Sequence, residues 1–171
     1  MCMKPGAKLS ARSDKYERYK HAFGRVKAAR NGGFYVEAIM ILESVITDRL
    51  MSAFVKHQAT APVAVLNVLN TDQGSVPKVS TKRLVDAFES HLFNAEDERF
   101  AGLPQRMRTW LEDRNRAAHA FVKSHPFDMR YEEPLDEFLA RLEETAAEGE
   151  AVARLLDKWV SQTNPTRIKQ E

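Results

Sequence analysis

The feature that most constrains the fold of this chain is the spacing of its apolar residues, which recur at steps of three and four positions. This spacing places apolar side chains along one face of an α-helix. The first such stripe consists of Tyr16, Tyr19, Phe23 and Val26. Ser13 can cap the start of this helix, and the cluster Asn31-Gly32-Gly33 is a signal for its end. We therefore predict a first helix between these two signals.

A second apolar pattern extends from about Phe34 to His57. Its apolar positions are Val36, Ile39, Met40, Leu42, Val45, Ile46, Leu50, Met51 and Phe54. These positions cover more than one side of a helix, which is typical of a helix that is surrounded by others. The pattern therefore predicts the central helix of a helical bundle.

Two further helices are predicted between residues 80 and 124. Ser80 or Thr81 can cap the third helix. Its expected core side consists of Leu84, Val85, Phe88 and Leu92. The fourth helix is predicted from about Pro104 to about Ser124, because proline is well suited to the first turn of a helix.

Two parts of the chain have weaker patterns. A fifth helix is predicted over residues 134–162, but its middle, residues 143–150, is weakly apolar. We expect this middle part to face solvent or to bend at Gly149. Residues 58–80 are the least regular, and VAVLNVL at 63–69 could form either a short helix or a strand, since periodicity does not separate the two.

Five helical patterns and no convincing sheet predict an all-α fold, an up-and-down bundle of four to five helices. The chain has 171 residues, of which 43% are hydrophobic. That length suits one domain that buries its core without metals or disulfides. We expect a single domain over residues 1–171, with its core in residues 13–162 and flexible termini.

Charge and cysteine content narrow the range of functions. The formal net charge is only +2, which argues against a surface dedicated to the electrostatic binding of long nucleic acid. Cys2 is the only cysteine, so no internal disulfide can form and a reducing cytoplasm is expected. We see no signal peptide and no membrane span. We also see no metal-ligand spacing and no Gly-rich phosphate loop, so neither a metal site nor a cofactor is predicted.

The fourth predicted helix contains the stretch RNRAAH, residues 114–119, whose polar residues interrupt an apolar stripe. Arg114 lies three positions from Leu111 and from Ala117, in the middle of that stripe. Asn115 and His119 are four positions apart, so they neighbour each other beside it.

An arginine in an apolar seam requires an anionic or strongly accepting partner, because an unpaired buried charge is costly. One possible partner is a carboxylate of this chain, for which Glu43 on the central helix is one choice. The other is a ligand such as a phosphate, which a guanidinium binds through two parallel hydrogen bonds. The sequence leaves both alternatives open.

Arg114, Asn115 and His119, within LEDRNRAAHAF, resemble the signature of the HEPN superfamily, the "higher eukaryotes and prokaryotes nucleotide-binding" domains. That signature is an arginine, usually followed by a polar residue, with a histidine four to six positions after the arginine. It lies on a late helix of a four- or five-helix bundle. The start of the second helix, residues 33–39, is also similar to this family. The resemblance extends over residues 13–162, but only the six-residue motif is specific.

The resemblance implies a metal-independent endoribonuclease of a toxin–antitoxin or defence module, with one cleft formed by two protomers. His119 would transfer protons while the RNA 2′-hydroxyl attacks the adjacent phosphate. Arg114 would hold that phosphate, and Asn115 would position the histidine or the substrate. Histidine titrates near neutral pH, and a fixed cation suits the developing charge. The implied partners are RNA or a nucleotide, a second copy of the chain, and an antitoxin or regulatory protein.

Basic residues beside the motif are the candidates for RNA binding, namely Arg108, Arg116 and Lys123. A solvated helix face explains them equally well. The chain departs from a toxin branch of the family that has a tyrosine two residues after the histidine, where this chain has Phe121. Two alternatives remain: a non-catalytic HEPN-like module that binds nucleotide, RNA or a protein partner, and an interaction protein in which Arg114 is only paired internally.

Overall fold

The computed structural model of the chain describes residues 11–57, 80–122 and 134–163. Within these ranges the backbone forms five α-helices and no strand, which confirms the predicted all-α bundle. The helices are α1 (Ala11–Asn31), α2 (Tyr35–Lys56), α3 (Thr81–His91), α4 (Leu103–Val122) and α5 (Leu135–Gln162). One turn of 3-10 helix, Glu98–Phe100, precedes α4.

Most helix ends lie where local turn and capping residues predict them. The Ser80 side chain accepts a hydrogen bond from the backbone N–H of Arg83 at 3.4 Å, so Ser80 caps α3. Gly33 has a φ of +76°, a conformation that glycine adopts readily at the end of a helix. The prediction that α1 starts at Ser13 was wrong, because Ser13 lies inside the helix, which already includes Ala11.

α2 is the central helix, as predicted, since it contacts each of the other four helices. Its buried residues are Ala38, Ile39, Leu42, Val45, Ile46, Leu50, Ala53 and Phe54. Met40 was predicted among the apolar positions, but 64% of its surface is exposed. The buried positions thus cover most of the circumference of α2 but leave a strip that faces solvent.

α2 and α5 run in the same direction, side by side. In the N-terminal halves of the two helices, the Tyr35 hydroxyl donates a hydrogen bond to the Glu143 carboxylate at 3.1 Å. Near their ends, Lys56 Nζ donates to the backbone carbonyl of Val160 at 2.6 Å. A lysine at this position stabilises α5, because its charge meets the carbonyl groups that a helix leaves free at its C-terminus.

One face of the middle of α5 is buried, so the prediction that residues 143–150 face solvent was wrong for that face, whereas Glu143 and Glu144 are exposed. Thr145, Ala146 and Gly149 all lie in the core, and α5 continues through Gly149 without interruption. Trp110 of α4 is buried against this face, and its indole N–H donates to the Thr145 carbonyl at 2.9 Å. A Cβ at residue 149 would overlap the Trp110 ring. The weakly apolar pattern therefore reflects small residues that make room for a tryptophan.

Three predictions concern residues outside the described ranges: the flexible termini, the short element at 63–69, and the last two residues of the fourth predicted helix. In the part of the chain that is described, no helix has the length and apolarity needed to cross a bilayer.

Candidate functional site

Arg114 lies on α4 at the boundary between core and surface. Its neighbours Leu111 and Ala117 are buried, whereas the Arg114 side chain keeps 23% of its surface exposed. Through Nη2 the guanidinium forms an ion pair with Glu43 of α2. Through Nη1 it donates a hydrogen bond to the side-chain oxygen of Asn115 at 2.7 Å. The carboxylate partner that the sequence suggested is therefore present.

The guanidinium of Arg114 is only partly used by these two contacts. Burial lowers the pKa of Arg114, but arginine remains charged at any ordinary pH. A guanidinium has five N–H groups. Glu43 and Asn115 take one each, and the buried Nε–H has no acceptor among the described residues. The remaining N–H groups can donate to an oxygen that approaches from the exposed edge.

Asn115 and His119 are both exposed, one helical turn apart on α4. His119 makes no hydrogen bond or ion pair with the described part of the chain. On helical geometry its side chain leaves α4 about 140° around the axis from Arg114. One pocket can therefore use both groups only through the length of the arginine side chain or through a second α4 helix.

Arg108, one of the candidates for RNA binding, forms ion pairs with two carboxylates of α3. Its Nε lies 3.1 Å from Asp86, and its Nη2 forms an ion pair with Glu89. The hydrogen bonds to Glu89 and then to Asp86 raise the pKa of Arg108. Two carboxylates thus compensate its charge, so a phosphate would have to compete with both.

Arg116 is more accessible than Arg108. Its side chain is 64% exposed, and its ion pair with Asp113 on the same helix has a separation of 3.2 Å. An exposed ion pair of this kind contributes little to the free energy of unfolding. Arg116 can therefore exchange Asp113 for a phosphate with little loss of stability. Lys123, the third candidate, lies outside the described residues.

Sequence reasoning missed a groove away from the motif. It has a volume of about 530 Å³ and lies between α1, α2 and α5. Tyr16, Tyr19 and Phe23 line this groove, although their spacing predicted a core stripe, and Tyr16 is 68% exposed. The available signal was that lysine and arginine side chains are interleaved with these aromatic residues in α1.

The chain matches no family model, no curated protein and no solved structure. The resemblance of Arg114, Asn115 and His119 to the HEPN signature therefore stays a prediction from the sequence. In the part of the chain that the structure describes, no three His, Cys, Asp or Glu side chains are grouped so that they could hold a metal ion.

Proposed function

We propose that this chain is a HEPN-type endoribonuclease that cleaves RNA without a metal ion and acts in a toxin–antitoxin or defence module. The observation that carries the proposal is that Glu43 anchors Arg114 on the same helix as an exposed His119. An anchored cation with free N–H groups suits the charge that develops on a phosphate. An accessible imidazole suits proton transfer near neutral pH.

In the proposed reaction, the His119 imidazole accepts the proton of the RNA 2′-hydroxyl, and the oxygen attacks the adjacent phosphorus. The bond from phosphorus to the 5′-oxygen breaks, and that oxygen takes a proton from a second imidazolium. The products are a 2′,3′-cyclic phosphate and a 5′-hydroxyl. Arg114 donates N–H groups to the phosphate oxygens, whose negative charge increases in the transition state.

A second copy of the chain is the proposed source of the second imidazolium. The other histidines in the described ranges lie on other elements: His21 on α1, His57 after α2 and His91 on α3. Two copies that face each other through α4 would each offer His119 to the Arg114 of the other, as two-fold symmetry requires. This arrangement also accommodates the angle of about 140° between the two side chains on one helix.

The test is an RNA cleavage assay in excess EDTA with wild type, His119→Ala and His91→Ala. His91 is a matched control, because it is an exposed histidine on α3. We expect wild type and His91→Ala to cleave equally, and His119→Ala to lose about 100-fold or more of the rate, as for other general acid–base groups. Equal cleavage by His119→Ala would exclude His119 from the reaction.

A second candidate function is a non-catalytic module of the same type that binds RNA, a nucleotide or a protein partner. The ion pair between Arg114 and Glu43 favours a non-catalytic role, and most directly an interaction protein in which Arg114 is only paired internally, because an arginine whose charge is compensated within its own chain can serve structure alone. Binding of an RNA oligonucleotide by wild type without any cleavage product would support this candidate over the nuclease.

A further inference from the structure

We infer that the groove between α1, α2 and α5 is a second binding site, and that its ligand is a nucleotide unit, an aromatic base joined to a phosphate. We call it the aromatic–basic groove. Its lining residues are Tyr16, Tyr19, Lys20, Phe23, Arg49, Arg154, Asp157, Lys158 and Ser161. Its volume of about 530 Å³ lies within the range of small-ligand sites.

This groove is separate from the α4 motif. Glu43, which holds Arg114, and Arg49, which lines the groove, both belong to α2. They are six positions apart, which is about 9 Å along the helix and about 120° around it by the shorter way. The two sites therefore lie on different sides of the central helix, and the inference goes beyond the proposed function.

Two arginines of the groove are already stacked on its aromatic rings. The Arg49 guanidinium carbon lies 3.5 Å from the centre of the Tyr19 ring, and that of Arg154 lies 4.3 Å from the centre of the Phe23 ring. Asp157 also holds Arg49, at 2.6 Å. Such cation–π contacts fix the side chains in place, so a ligand would order few further groups on binding.

The lysines of the groove supply positive charge for a phosphate. Lys158 is exposed and forms no ion pair with the described residues. Lys20 forms a distant ion pair with Glu17, with its Nζ 3.9 Å from the carboxylate. Asp157 compensates the charge of Arg49 and Glu150 compensates that of Arg154, so the positive charge that remains for a ligand comes from Lys20 and Lys158. The groove therefore concentrates positive charge, and its ligand should be an anion.

Tyr16 indicates that the ligand has an aromatic part as well. Its ring is exposed at the groove, where it offers a face on which a base can stack. A bare phosphate would make no stacking contact with the Tyr16 ring, and an apolar ligand would not be attracted by the lysine charges. A base with its phosphate uses both. The unit could come from a free nucleotide or from single-stranded RNA, and the second source rests on the proposed function.

The experiment measures binding of two probes to the full chain: AMP, and a short single-stranded 2′-O-methyl oligonucleotide, which cannot be cleaved because it has no free 2′-hydroxyl. The variant is Tyr16→Ala with Lys158→Glu, both at exposed positions. The matched control is Lys82→Glu, since Lys82 is exposed on α3. We expect the double variant to bind about tenfold or more weakly, while the control binds like wild type.

Binding of AMP would assign the site to free nucleotides, and binding of the oligonucleotide alone would assign it to an RNA strand. The inference is overturned if wild type binds neither probe at about 1 mM, or if the folded double variant binds as well as wild type. The single variant Lys158→Ala gives a milder test if the double variant does not fold. Because neither probe is cleaved, loss of nuclease activity with intact binding would refute only the proposed function.

Discussion

At the residue scale, the ion pair between Arg114 and Glu43 holds a half-buried guanidinium at the edge of the core. Exposed ion pairs contribute about 0–1 kcal/mol, whereas breaking a buried pair costs about 3–5 kcal/mol. With 23% and 30% of their side chains exposed, these two residues lie between the limits. Removing the carboxylate would leave a positive charge in a poorly solvated place.

We expect Glu43→Gln to lower the free energy of unfolding by about 1–2 kcal/mol, between the exposed and buried cases. The control is Asp113→Asn, which breaks the more exposed pair with Arg116 on the same helix as Arg114 and should cost less than about 0.5 kcal/mol. Urea unfolding of both variants measures the difference. Equal losses would mean that Glu43 does not anchor Arg114.

His57 is a second residue with a defined thermodynamic consequence. It is buried after α2, with its ring 5.7 Å from that of Trp159. Burial, and then the charge of Lys56, lower the pKa of His57 below its ordinary value of 6.5. The unfolded chain therefore binds a proton at this residue more readily than the folded chain does.

The stability that neutral His57 provides should be complete above pH 6.5 and should decrease as the pH falls below it. We expect the free energy of unfolding of wild type to fall more steeply between pH 7 and pH 5 than that of His57→Gln. Chemical unfolding at a series of pH values tests this. Parallel curves for the two proteins would show that His57 does not titrate with a lowered pKa in the folded state.

At the scale of helices, the contact between α4 and α5 depends on the absence of a side chain at residue 149. The indole of Trp110 occupies the space where a Cβ would lie, and its hydrogen bond to Thr145 holds the ring there. Neither helix can yield easily, because protein cores are close-packed.

We therefore expect Gly149→Ala to lower the free energy of unfolding by about 1–3 kcal/mol through overpacking. Gly24→Ala is the control, because Gly24 lies in the middle of α1 with nothing within 4 Å of an added Cβ. It should raise stability by about 0.5–1 kcal/mol, since alanine favours the helix over glycine. Destabilisation by both changes would contradict the specific role of Trp110.

Most ends of the described helices could be predicted from the sequence, but some of their faces could not. Ser80 before α3 and Gly33 after α1 act on the backbone next to them, so a short segment of sequence contains the whole signal. Whether Gly149 faces solvent depends on Trp110, which lies 39 positions away in the chain. The exposure of Tyr16 likewise depends on how far α2 and α5 extend beside α1. The sequence around Tyr16 does not determine that extent.

At the scale of the whole molecule, α2 separates two surfaces, the α4 motif on one side and the aromatic–basic groove on another. The position of Arg114 at the edge of the core could be predicted because it interrupts an apolar stripe, whereas its joint role with His119 stays a prediction. The groove could not be predicted, because α1, α2 and α5 each contribute residues to it. The sequence could not show that Glu43 pairs with Arg114 either, because that contact depends on the distance between α2 and α4.

If the nuclease requires residues from two copies, its rate per chain should fall when the protein is diluted below the dissociation constant of the dimer. We expect the rate to decrease at the concentrations at which sedimentation velocity shows the mass changing from two chains to one. A rate per chain that stays constant while the dimer dissociates would contradict the two-chain cleft.

The most direct test of the nuclease proposal is to identify the ends of the RNA fragments that wild type produces in excess EDTA. The proposal predicts 2′,3′-cyclic phosphate and 5′-hydroxyl ends, and no cleavage at a position where a single 2′-deoxy nucleotide replaces the ribonucleotide. Fragments with 5′-phosphate ends, or cleavage at the 2′-deoxy position, would contradict attack by the 2′-hydroxyl and with it the role of His119.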